Sequence, residues 1–259
     1  ITIRDLLRHT PGITYCFFGE TAVQKLYANE KLYAGDFDNA EFADRIATLP
    51  LAEQPATRWN YSHSTDVLGR VVEVASGQTL FQFEKQRLFD PLGMSDTAYY
   101  VADKAKWPRI AQGFPVDQFR VSGIRDPTAP RRWQSGGAGL VSTIGDYARF
   151  LQMLLNGGKL DGKRYLKPET VALMTSDQIG PETGILHDPF YFPGPCSGFG
   201  LGFAVRTSPP SNTNWPLGEY RWDGAGGSSY FVDPEDDLLV VFMVQAPTQG
   251  GRIQLALKT

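Results

Sequence analysis

The chain has 259 residues, 42% of them apolar, and 25 basic against 28 acidic side chains give it a formal net charge of −3. That length can build a sizeable core as one large domain or two small ones, and the near-neutral charge offers no basic patch to nucleic acid or anionic lipid. The longest apolar run, Leu238 to Val244, is far short of the ~20 residues of a membrane helix, so no membrane span is expected.

Thr2 with Asp5 three residues on is a capping-box pattern, which predicts a short helix over Thr2 to His9, stopped by Pro11-Gly12. Ile13 to Pro50 reads as mixed helix and loop, rich in aromatics. A helix starts near Ser64, with Val67, Leu68, Val71, Val74 and Ala75 on one face and Gly77 as its end. Thr79 caps another over Leu80 to Phe89, stopped by Asp90-Pro91, and Ala98 to Ser135 is irregular. Beyond the glycines that follow Ser135, Thr143 and Asp146 open a helix that turns Tyr147, Phe150, Leu151, Leu154 and Leu155 inward and closes at Gly157-Gly158. Pro168 sits near the start of one more short helix.

After Pro195 the pattern changes. Gly198 to Arg206, Gly218 to Trp222, Ser228 to Val232 and Leu238 to Gln245 read as strands, the last two joined by the hairpin loop VDPEDD. One domain is expected, mostly helical over 1–195 and strand-rich over 196–259. The last strand, LLVVFMVQ, is apolar on both sides and therefore calls for cover on both. Only Arg252 to Thr259 remains to begin a helix, so the sheet is expected to be incomplete and the chain, on its own, prone to aggregate.

Several chemistries lack their residues. His9, His63 and His187 are scattered, and Cys16 and Cys196 have no ligand spacing, which argues against a metal centre. GAGGSS lacks the lysine of a phosphate loop, and GFGLG is not GxGxxG. Gly194 to Gly198 spells G-x-C-x-G, but a nucleophile elbow joins a strand to a helix, and here prolines precede it and a strand follows. Tyr61, just ahead of a helix, is either a packing or capping residue or a proton carrier, the latter if a cation stands near its phenol.

The order of five segments weighs toward the second reading. ITIRDLLRHTPGI, YSHSTDVLGRVVEVASGQTLFQF, LFDPLGMSDTAYY, GGAGLVSTIGDYARFLQMLLNGGKLDGKR and RWDGAGGSSYFVDPEDDLLVVFMVQ follow one another. Together they resemble the serine β-lactamase-related family, which holds class C β-lactamases, D,D-peptidases and family VIII carboxylesterases, and the likeness is nearest to the esterases. The resemblance implies an α/β fold of the β-lactamase/transpeptidase type, an antiparallel sheet flanked by helices with a mostly helical region beside it. It implies a serine hydrolase cleaving small neutral carboxylic esters through an acyl-enzyme, with no cofactor and no metal. A β-lactamase or D,D-peptidase, and a non-catalytic binding protein of the same fold, are the alternatives.

The family's Ser-x-x-Lys nucleophile motif lies upstream of its LLxHTxG segment, and these 259 residues contain none. The resemblance thus puts the serine, its lysine and the first strands of the sheet before Ile1, and the chain alone is expected to be inactive. The family's Tyr-x-Asn corresponds to Tyr61-Ser62-His63, which makes Tyr61 the proton carrier. His63 replaces the asparagine and is read either as a substrate contact or as a solvent-facing or capping residue. Trp222-Asp223-Gly224 takes the place of Lys-Thr-Gly, putting Trp222 and Gly224 against the substrate. Tryptophan cannot hold a carboxylate by charge, which favours a neutral ester. The Ala225 N–H matches the oxyanion donor, with Asp223 expected to turn away along the strand. Trp133, Phe190, Tyr191 and Phe192 lie on irregular segments and are read either as pocket walls or as local packing.

Overall fold

Four helices begin with the same reciprocal cap. In a computed structural model, which describes residues 1–33, 36–117, 126–188, 190–210 and 215–256, Thr2 Oγ1 accepts the Asp5 N–H at 3.1 Å while Asp5 Oδ2 accepts the Thr2 N–H at 2.9 Å. This opens α1 (Ile3–Leu7) as predicted. The device recurs at Thr21 with Gln24 for α2 (Ala22–Asn29), at Asp38 with Glu41 for α3 (Asn39–Ala47) and at Thr79 with Gln82 for α5 (Leu80–Glu84). Helices α2 and α3 supply the order inside the stretch read only as mixed.

Between α3 and α5 lies α4 (Ser64–Ser76), ended by Gly77 at φ 70°. Val67, Leu68 and Val71 pack into the core as expected, whereas Val74 is 68% exposed. The inward positions near its start belong instead to Asp66 and Gly69, because the N-terminal half of α4 is clamped between neighbours and its last turn emerges into solvent. Helix α5 runs past the expected stop. It continues through a π-helical turn, Lys85–Phe89, and a last turn, Asp90–Leu92, and ends at Gly93 with φ 70°. Pro91 occupies the start of that last turn, where proline's missing N–H is tolerated.

Helix α6 (Ile144–Leu155) is capped by Thr143, whose Oγ1 accepts the Asp146 N–H at 3.2 Å. Its buried Leu151, Met153 and Leu154 face the sheet, as the sequence pattern predicts for the two leucines. Two shorter helices follow, α7 (Pro168–Met174) and α8 (Gly250–Ala256); positions 257–259 of the last predicted helix lie outside the described residues.

Five strands make one antiparallel sheet in chain order: β5 (Ser197–Phe199), β6 (Ala204–Arg206), β7 (Tyr220–Asp223), β8 (Ser229–Asp233) and β9 (Leu238–Phe242). The stretch read as one strand, Gly198 to Arg206, is in fact the tight hairpin β5–β6, because the glycine-rich turn carries Gly202 at φ 99°. Short pairs precede the sheet. β1 (Arg58–Trp59) runs parallel to β4 (Leu186–His187), and β2 (Lys159–Leu160) pairs with β3 (Lys163–Arg164).

Register divides the sheet into two faces. Trp222, Tyr230 and Val241 stand side by side across β7 to β9, as do Tyr220, Val232 and Leu239. This face packs on α6 and makes the largest apolar cluster. The opposite face carries Arg221, Phe231 and Val240, which line an open cleft of about 320 Å³ with Gly251 near its end. Strand β9 is thus covered on one side only, as an apolar strand with incomplete cover was expected to be.

Candidate active site

Tyr61 is placed by β1. Trp59 is fully buried, and the Asn60 N–H donates to the His9 carbonyl at 2.9 Å, which ties the strand to the end of α1. Parallel pairing of β1 with β4 brings in the loop that carries Tyr191 and Phe192. Rings then surround Tyr61: His9 at 5.0 Å between centroids, Tyr15 at 5.3 Å, Phe192 at 5.5 Å and Phe18 at 6.1 Å.

Across the cleft, Trp222 on β7 lies 5.2 Å from the Tyr61 ring, and its indole N–H donates to the Tyr61 hydroxyl. Two of the predicted site residues are therefore in direct contact. Burial pushes the Tyr61 phenol up; the Trp222 bond opposes this, and the nearby carboxylates Asp66 and Asp223 add to it. Among the described residues no cation acts on this hydroxyl. His9 cannot supply one, since burial draws its imidazole down to about 3 and keeps it neutral.

The turn after β7 holds the other two. The Gly224 N–H donates to the Ser228 carbonyl at 2.7 Å, and the Gly227 N–H to the Gly224 carbonyl at 2.9 Å. Ala225 stands exposed at the tip of this turn. Asp223 is exposed on the sheet face opposite Trp222, as strand alternation predicts.

His63 is neither solvent-facing nor a side-chain cap. It is 1% exposed, and although it occupies the N-cap position of α4 its ring makes no capping bond. Tyr15, Tyr33 and Phe42 cover it at 4.4, 5.0 and 5.3 Å. Its Nδ1 lies 2.7 Å from Asp66 Oδ2, a pairing that fixes the ring behind the site rather than in it. Asp66 also accepts from the Ser135 hydroxyl and, at 3.3 Å, from the Gly137 N–H. The sequence reading missed Asp66 and Ser135; the available signal was an acid three residues after His63, one helical turn away.

Trp133 also leaves the list of pocket walls. It is 1% exposed and stacks on Phe42 at 4.6 Å within the cluster that holds α1, α3 and α4 together. Tyr191 is local packing: it stacks on His187 at 3.9 Å and its hydroxyl donates to the Ser197 carbonyl at 2.9 Å. Phe190 and Phe192 face the cleft and are 58% and 54% exposed. The G-x-C-x-G segment forms no elbow. Cys196 precedes β5 with no helix after it, and both cysteines are free. Among the described residues, no cluster of side chains suits a metal ion, and no helix is long and apolar enough to cross a membrane.

These features have relatives. The family model described as Beta-lactamase matches residues 1–257. Protein Rv1367c of Mycobacterium tuberculosis is 37% identical over 257 residues, covering 95% of this chain and 62% of that protein. Esterase EstB of Burkholderia gladioli is 31% identical over 284 residues, covering all of this chain and 68% of the esterase. The solved structure of EstCE1, a hydrolase with promiscuous acyltransferase activity, superposes with a TM-score of 0.79 at 25% identity, over 100% of this chain and 71% of its own. The chain thus spans about three fifths of the length of its mycobacterial relative.

Proposed function

Since the chain belongs to the Beta-lactamase family, we propose that the intact protein is a serine hydrolase that cleaves small neutral carboxylic esters through an acyl-enzyme. In this reading a serine of a Ser-x-x-Lys motif, outside these 259 residues, attacks the acyl carbon. Tyr61 takes the serine proton and passes it to the leaving alcohol; water then reverses the sequence to free the acid. Burial holds Tyr61 protonated, so the lysine of that motif supplies the positive charge that lets the phenol ionise. The Ala225 N–H and the N–H of the serine receive the oxyanion, each donor contributing about 10²–10³ in rate. The esterases among the relatives support this class of substrate.

The observation that carries the preference for neutral esters is the bond from Trp222 to Tyr61. Where a carboxylate-binding site needs a cation, this one presents an uncharged donor already committed to the phenol. In the intact protein, p-nitrophenyl butyrate is expected to turn over and nitrocefin poorly. Tyr61→Phe lowers kcat by about 10²–10⁴. Trp222→Lys raises the nitrocefin-to-butyrate ratio of kcat/KM by about tenfold, roughly 1.4 kcal/mol of differential binding. An unchanged ratio refutes the role of Trp222, and the absence of any ester turnover leaves a binding protein.

A further inference from the structure

Two distant loops expose aromatic rings at the same place. Phe17 is 57% exposed on one, Phe190 and Phe192 are 58% and 54% exposed on the other. Phe18 joins them, 5.1 Å from Phe192, 6.4 Å from Phe190 and nearly parallel to it, and 6.1 Å from Tyr61. Leaving apolar area in water costs about 25 cal/mol per Å², so a contiguous exposed patch of this kind marks a binding surface.

Past Phe18 the surface opens into a cleft of about 620 Å³, walled by Phe18 and Phe190 on one side and by Gln24, Lys25 and Ala28 of α2 on the other. That volume is in the range of small-molecule sites, roughly 300–1,000 Å³. Its charged neighbours, Glu20 and Lys25, are opposite in sign and exposed. The cleft therefore selects for shape and apolarity rather than charge, and tilted aromatic walls suit a flat ring.

The direction of entry follows from the chemistry above. If Tyr61 protonates the leaving oxygen, whatever that oxygen carries lies against the rings that adjoin Tyr61 and runs along Phe192 and Phe18. We propose that the cleft beyond Phe18 is a subsite for the alcohol portion of the ester, and that this portion is a flat aryl-methyl group. This inference rests on the serine-hydrolase reading.

The test uses the intact protein with methyl acetate and 2-naphthylmethyl acetate, and an Ala28→Trp variant that fills the cleft from the exposed face of α2. The wild type favours the naphthylmethyl ester in kcat/KM by about tenfold or more, and Ala28→Trp lowers that ratio by about tenfold, some 1.4 kcal/mol of lost contact. A ratio that the variant does not move overturns the subsite. If neither ester is hydrolysed, the hydrolase reading falls and binding of 2-naphthylmethanol, followed by its fluorescence, decides the cleft separately. Weaker binding to Ala28→Trp retains the subsite, and equal binding removes it.

Discussion

His9 and Tyr61 touch ring to ring, and burial drives the two acidities apart: the imidazole falls to about 3 while the phenol rises. Neither group is ready for proton transfer at neutral pH without an outside charge. A third group behind them is poised differently. Glu84 is held by burial at about 7, against an ordinary 4.5, and bonds to the Tyr99 hydroxyl. That hydroxyl donates to the Ser135 carbonyl at 3.1 Å. Because the folded value is raised, the stability contributed by protonated Glu84 is fully present below about 4.5 and is lost as pH rises through about 7. Glu84→Gln keeps a neutral group at every pH. It is expected to match the wild type near pH 4.5 and to be more stable at pH 8, by an amount of order 3 kcal/mol; thermal melts at the two pH values check this, and parallel curves refute it. Sequence order alone picked out Tyr61 and Trp222, since motif positions fix them. It could not identify Asp66 or Ser135, because their importance lies in meeting across 69 positions of chain.

At the scale of elements, the site depends on how closely one loop approaches α4. A Cβ on Gly136 would lie 2.2 Å from the Thr65 carbonyl oxygen, so only glycine lets Ser135 and Gly137 reach Asp66. Gly136→Ala is expected to cost about 1–3 kcal/mol, the range of an overpacked core position. It is expected also to lower esterase activity in the intact protein by loosening the wall behind His63. Chemical denaturation and kinetics on the same preparation test both, and a variant as stable as wild type contradicts the contact. The glycine stretch read from the sequence as a place of close backbone approach is this contact. The π-helical turn of α5 and the β5–β6 turn were not legible. Proline and glycine there mark a change of direction, but whether the chain stops, widens or folds back is decided by what it packs against.

For the whole molecule, the one-sided cover of β9 matters most. Leu238 is 45% exposed and the face of Val240 and Phe231 opens into a cleft, while Leu239 and Val241 are packed against α6. Prepared by itself, the 259-residue chain is expected to self-associate through this edge, and Val240→Lys to reduce the association. Light scattering measures it, and a monodisperse monomer with a sharp unfolding transition contradicts it. The apolar pattern of LLVVFMVQ made this much visible in advance. Alternation also placed Asp223 away from Trp222. What no pattern revealed is that the two halves of the cleft are built separately, Tyr61 following β1 and Trp222 riding on the five-stranded sheet. The indole-to-phenol bond bridges those halves and is the interaction that eases ionisation of Tyr61. An occupant that wedges the halves apart breaks that bridge and makes the phenol hold its hydrogen more tightly; one that lets them close restores it. Readiness to react is thereby coupled to goodness of fit, and a misshapen visitor meets an enzyme that is chemically less willing as well as sterically obstructed.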